Sequence, residues 1–200
     1  MSTFKIGYFV GSLSSTSINR TLSKALIKLA PPELEFTEIP IGNLPLYSQD
    51  YDAAYPPEAQ ALKQAIEASD GILFVSPEYN RSIPGALKNA IDWGSRPWGT
   101  NSFARKPTGI VGASGGNIGT AVMQSSMRSV LSFLDAPQLN SPEVYIKFEP
   151  DVYGADGDVS NEDSAAFLRH YMEEYAAFVE RVLAATAPGH IGDQQAGKWK

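Results

Sequence analysis

The sequence predicts an α/β fold built on a five-stranded parallel sheet, and three observations predict it. Five short runs rich in aromatic and β-branched residues punctuate the chain. Longer segments with helical apolar spacing separate them, which is the alternation of βα units. Together these elements take up nearly all of the 200 residues, leaving no room for a second independent domain. The expected domain spans residues 1–186, and residues 187–200 are expected to form a flexible tail.

Each element has a local reason. Phe4 to Val10 is a mostly apolar run that stops at Gly11-Ser12, as a strand covered on both faces does. Ser14 to Ser17 make a polar turn, and Ser17 is the expected N-cap of a helix with Leu22, Ala25, Leu26 and Leu29 on one face. Pro31-Pro32 ends that helix before a second strand over 34–39. The proline- and tyrosine-rich stretch 40–57 lacks periodicity and is expected as an ordered loop anchored by Ile41, Leu44, Leu46 and Tyr47. A helix over 59–68 leads to the strand Gly71 to Val75, which Ser76-Pro77 terminates. Pro84 suits a helix start, and Leu87, Ala90 and Ile91 continue it to Trp93-Gly94. A strand over 108–111, a helix over 121–134 and a strand over 144–148 follow. Residues 151–163 are expected as an exposed acidic turn region. The last helix, 164–184, should pack through Phe167, Leu168, Tyr171, Tyr175, Phe178 and Val182.

Composition excludes several classes of chemistry. The chain has no cysteine, which removes disulfides, thiolate catalysis and cysteine-ligated metals. Its two histidines, His170 and His190, stand far in sequence from the loops described next, so no catalytic side chain and no metal site are expected. No charged segment followed by an apolar run opens the chain, and no stretch has the length of a membrane span, so a cytoplasmic protein without a membrane partner is expected. A formal net charge of -6 argues against nonspecific nucleic-acid binding, though an anionic small molecule needs only a few oriented donors.

The functional signal is three specialised loops, each directly after a predicted strand. Parallel strands bring such loops to one edge of the sheet, where open α/β sheets bind ligands. In the first, residues 11–20, hydroxyls and the amides of a helix start can surround a phosphate; Ser12, Ser17 and Asn19 are the candidates, and Arg20 adds either charge or only a solvated surface. A serine-rich turn of this kind also caps a helix without any ligand. The second, residues 76–85, presents Pro77, Glu78, Tyr79 and Asn80, a mixture that can pack on a flat ring and bond its heteroatoms. Glu78 reads either as an acid at the site or as a helix-end stabiliser, and Tyr79 as a ring contact or a plug at the sheet edge. In the third, residues 112–120, Ser114, Gly115 and Gly116 let backbone approach a ligand closely, although a tight turn has the same needs.

On these segments the sequence resembles the NADPH-dependent FMN reductase family, in its chromate and quinone reductase group. The resemblance is carried by PEYNRSIPGALKNAIDW at 77–93, GSLSSTSINR at 11–20, LPLYSQD at 44–50 and GASGGNIGT at 112–120, and it continues through LSFLDAPQL at 131–139 and PEVYIKF at 142–148. It implies a flavodoxin-like sheet in the order 2-1-3-4-5 that binds FMN. Ser12, Ser17 and Asn19 match phosphate-loop positions, Pro77, Glu78, Tyr79 and Asn80 the loop beside the isoalloxazine, and Ser114, Gly115 and Gly116 the second ring-side loop. Many relatives carry arginine where this chain has Ser14, which bears on the choice between NADPH and NADH. The resemblance further implies ping-pong electron transfer to quinones, flavins or related small acceptors, with chromate among them; a flavodoxin-type electron carrier is the alternative. It implies a homodimer or homotetramer, with Tyr47, Tyr51, Trp93, Arg96 and Trp98 expected at the boundary.

Overall fold

The computed structural model describes residues 3–186. Its elements follow the expected alternation: β1 (Phe4–Val10), α1 (Ile18–Leu29), β2 (Leu34–Glu38), α2 (Pro57–Glu67), β3 (Gly71–Val75), α3 (Gly85–Gly94), β4 (Thr108–Ser114), α4 (Ala121–Phe133), β5 (Val144–Lys147) and α5 (Glu162–Thr186). The strands form one parallel sheet in the order β2-β1-β3-β4-β5. The expected tail 187–200, and His190 within it, lie outside the described residues.

The central strand β3 is buried at every position, because helices cover both faces of the sheet. Its alternate residues feed two cores. Ile72 and Phe74 pack with Phe9, Ile110 and the inner faces of α2, α3 and α4. Leu73 and Val75 pack with Ile6, Val111 and the inner faces of α1 and α5. At one edge the register aligns Val10, Val75, Val111 and Val144 across four strands. The first two loops begin just beyond this row, while β4 continues to Ser114 before the third loop leaves the same edge of the sheet.

Five expectations change. β4 runs to Ser114 rather than stopping at Val111, because Gly112, Ala113 and Ser114 pair with Tyr145, Ile146 and Lys147 of β5. Neighbouring strand, not local propensity, extends it. Trp93 is not at a boundary: it is 0% exposed within the single chain. Tyr47, Tyr51 and Tyr55 surround its ring at centroid distances of 5.1, 5.6 and 4.9 Å. Its indole N–H donates to the Pro45 carbonyl at 2.7 Å, and the Asn89 amide bonds both that carbonyl and the Tyr47 N–H. Loop 40–57 is thus ordered as expected: Ile41 is buried in the core, Leu44 and Tyr47 pack against it, and α3 adds the bonds just described; Leu46 is exposed and anchors nothing. On α5, Phe167 is half exposed, while Met172 and Val179 complete the buried face. The acidic segment buries Tyr153 and is tied to α1 by a Lys28–Asp158 ion pair.

Candidate functional site

Ser76, the residue after β3, is buried between Gly11, the residue after β1, and Gly112 of β4. The three loops rise from this layer. In the first, Ser17 caps α1 as expected, its hydroxyl accepting from the Arg20 amide at 3.3 Å. The Ser12 hydroxyl accepts from the Ser14 amide at 3.3 Å, and Ser12 and Ser17 are buried. Helix geometry leaves the Ile18 and Asn19 amides without intrahelical acceptors. The first turn of α1 carries no acidic side chain of its own to meet the positive end of the helix. Such an end accepts a phosphate readily.

Asn19 does something the sequence did not predict. It is 1% exposed, its amide N–H donates to the Ala113 carbonyl, and its oxygen accepts from the Ala113 N–H, both at 2.9 Å. The side chain acts as one more strand partner for β4, fixing loop one against loop three across 94 residues. Arg20 is also committed elsewhere: its guanidinium donates to both Glu38 oxygens at 2.7 and 2.9 Å. Those bonds hold the Glu38 carboxyl below its ordinary range, while burial, and then Glu38, pushes the Tyr8 hydroxyl up. The stabilisation from that carboxylate is present above its ordinary pKa and is lost as pH falls through the lowered value.

The second loop is a tight hairpin. Tyr79 and Ser82 exchange backbone bonds of 3.1 and 3.0 Å, and the two residues between them, Asn80 and Arg81, both have positive φ. This is a two-residue turn, hidden from sequence by the missing glycine. Tyr79 is 51% exposed and Asn80 exposed, while Pro77 is buried beneath them. Glu78 points the other way in function: its carboxylate accepts from the Val122 and Met123 amides at 3.1 and 3.0 Å. Thr120, the N-cap of α4, supplies no side-chain capping bond. Glu78 therefore caps α4 from another loop, the helix-end role among the two alternatives. No local sequence signal could have named Val122 or Met123 as its partners, because they lie more than forty residues away.

In the third loop the Ser114 hydroxyl donates to the Gly119 carbonyl at 2.7 Å and accepts from the Gly116 amide at 3.2 Å. Gly115, Gly116, Asn117 and Ile118 are exposed above it. Asn19 thus ties the first loop to the third, and Glu78 ties the second to the start of α4 just after the third, leaving the upper surfaces open. Among the described residues no cluster of metal-ligating side chains occurs, and His170 is exposed on α5. No helix of the described residues is long and apolar enough to cross a membrane.

The model of the NADPH-dependent FMN reductase family matches residues 4–151, which include all three loops. The chain belongs to that family. A 2-hydroxy-1,4-benzoquinone reductase from Burkholderia is 50% identical over 88% of this chain and 96% of its own length. A quinone reductase from Pseudomonas putida is 41% identical over 88% of this chain and 95% of its own. The solved structure of FerB, a flavoenzyme NAD(P)H:(acceptor) oxidoreductase from Paracoccus denitrificans, superposes with a TM-score of 0.87 at 41% identity, covering 90% of this chain and 98% of that one. A Pseudomonas aeruginosa flavodoxin, at 17% identity and a TM-score of 0.54, shares the fold.

As a family member the chain is an FMN-dependent NAD(P)H oxidoreductase, and its loops fit that cofactor. The first loop, uncharged up to Arg20, ends in a helix start with free amides, suited to the phosphate. A Cβ at Gly115 would meet nothing within 4 Å, so no neighbour in the chain demands glycine there. Open space beside bare backbone is what a planar ring needs. Glu78→Ala tests the framework separately: loss of the α4 cap should cost about 1–2 kcal/mol in urea unfolding, with the slope unchanged.

Proposed function

We propose that the chain is an NAD(P)H:quinone oxidoreductase that binds FMN across its three joined loops and works by a ping-pong sequence. The observation that carries this reading is the pairing of a rigid base with an open top. Asn19 and Glu78 hold the loops in fixed relation, while Tyr79, Asn80 and residues 115–118 remain exposed to small planar molecules. FMN, when bound, supplies hydride acceptance and return. The protein's part is binding and orientation. Ser12, Ser17 and the α1 amides would hold the phosphate; Pro77, Tyr79 and Asn80 would border one side of the ring; Ser114, Gly115 and Gly116 would offer backbone donors on the other, where they stabilise negative charge. The relatives named as quinone reductases support quinones as the acceptor. Free flavins and chromate would meet the same open face.

The reading extends to assembly and place. Trp98 and Phe133 are both exposed and 6.4 Å apart, with the Arg96 guanidinium 5.5 Å from the Trp98 ring. An exposed aromatic pair supports a homodimer or homotetramer contact there. A donor of the NAD(P)H type fits the cytoplasm.

Anaerobic stopped-flow mixing tests the reaction. FMN-loaded protein should lose its oxidised flavin absorbance on mixing with NADPH or NADH, and regain it when a quinone follows. Stoichiometric FMN that neither donor reduces would instead indicate a flavodoxin-type carrier. Ser17 can be tested by two substitutions. Ser17→Ala should cost about 1 kcal/mol as a lost cap. Ser17→Asp should restore that cap yet weaken FMN tenfold or more, because its carboxylate faces the phosphate. Equal FMN affinity in wild type and Ser17→Asp, read by flavin fluorescence, would remove Ser17 from the phosphate site.

A further inference from the structure

We propose that Arg81 is a specificity-determining residue that selects anionic acceptors, deprotonated hydroxyquinones above all; this rests on the quinone reductase reading above. The turn that carries it departs from ordinary turn chemistry. Asn80 and Arg81 have φ of 51° and 62° and are the central pair of the hairpin closed by Tyr79 and Ser82. Such turns favour glycine at the second position, because a Cβ is crowded at positive φ. Asparagine tolerates that region, but arginine has no backbone reason to be there. Strain of this kind persists where the side chain has a task.

The environment identifies the task. The Arg81 side chain is 65% exposed. Its ion pair with Glu78 is long, at 3.6 Å, and that carboxylate already accepts from two α4 amides. Glu78 therefore steers the guanidinium without using its donors, of which it has five. The neighbouring loop segments 11–17 and 112–122 contain no charged side chain. A solvent-exposed cation thus stands on the rim of the site in a chain of net charge -6. It attracts an anion that carries planar oxygen acceptors, which a guanidinium fork matches and an ammonium does not.

A hydroxyquinone is such a molecule. Its hydroxyl is conjugated to a carbonyl, as in a carboxylic acid, so it is ionised at neutral pH and shares its charge between two oxygens. A relative 50% identical to this chain is named for 2-hydroxy-1,4-benzoquinone. The overall exchange balances. The anion gains one hydride from NAD(P)H and two protons from solvent, giving neutral trihydroxybenzene and oxidised nicotinamide.

The experiment uses the FMN-loaded full chain and its Arg81→Gly and Arg81→Lys variants. It measures kcat/KM for 2-hydroxy-1,4-benzoquinone and for unsubstituted benzoquinone at saturating NADPH. Binding of the hydroxyquinone to the oxidised protein is read separately from the flavin absorbance. In Arg81→Gly the preference for the anion should fall tenfold or more, and its dissociation constant should rise in parallel. The same variant should unfold no earlier than wild type, because glycine relieves the turn. Arg81→Lys should keep part of the preference. An unchanged preference, an equal loss for both quinones, or a change confined to the KM for NADPH would overturn the assignment. Wild type that reduces neither quinone would sink the quinone reductase reading itself, and this one with it.

Discussion

Asn19→Ala should lower stability by about 3 kcal/mol and weaken FMN binding tenfold or more. The estimate follows from what the substitution strands. Asn19 gives two hydrogen bonds of 2.9 Å to the N–H and C=O of Ala113, and both ends of the contact are buried. Alanine removes the bonds and leaves two backbone groups in a dry environment. Each orphaned group costs about 1–3 kcal/mol, more than the net value of the bond it lost. Relaxation that admits a water would reduce the sum, so the total falls near 3 kcal/mol. The effect on FMN has a different origin. Ala113 lies one residue before Ser114, at the start of the proposed second ring-side loop, and Asn19 begins α1, whose amides face the proposed phosphate site. Cutting the link lets those two parts of the site move independently, and precise positioning is most of what such a protein contributes to its cofactor. Urea unfolding and flavin fluorescence titration check the two halves. A stability loss under 1 kcal/mol would mean that Ala113 finds other partners. Asn19→Asp is the informative companion: it keeps the acceptor for the Ala113 N–H but sets a carboxylate against the Ala113 carbonyl, and should be no better than alanine.

How much of this was legible in the sequence depends on the range of the interaction. The strands, α1 with its Ser17 cap, and α3 starting after Pro84 follow from local pattern, and apart from β4, three residues longer than expected, the structure agrees to within a residue or two. The three loops were legible as loops because serine, glycine and proline follow apolar runs. What the sequence could not show is which polar side chain joins which loop. Asn19 looked like a phosphate contact because it sits beside a serine-rich turn, yet its partners are on β4. Glu78 read either as an acid at the site or as a helix-end stabiliser; the second holds, but at a helix that begins after the third loop, which no neighbouring residue announces. The resemblance set Trp93 at a subunit boundary, but three tyrosines from loop 40–57 enclose it. Each of these depends on packing between segments distant in sequence. The hairpin at Asn80-Arg81 was missed for a local reason, since its second central residue is not the glycine that announces such a turn.

Two glycines of similar appearance should respond oppositely to one added methyl group. Gly112→Ala should destabilise the fold by ~3 kcal/mol, because its Cβ would stand 2.3 Å from the Ser76 backbone oxygen and 2.2 Å from the Thr120 hydroxyl. The hydroxyl can rotate; the carbonyl belongs to the buried end of β3 and cannot move without spreading β3 from β4. Gly115, three residues on, has no positive φ and no atom near the site of a Cβ. Gly115→Ala should therefore leave stability within about 0.5 kcal/mol of wild type. If the open space beside Gly115 is where the ring lies, that neutral substitution should still weaken FMN, by tenfold or more. The contrast separates glycines required by the sheet from one required by the ligand. Thermal unfolding of the two apoproteins and FMN titration of Gly115→Ala decide it: an unweakened FMN affinity would move the ring away from Gly115, and a stable Gly112→Ala would show that β3 and β4 can part at their ends without loss.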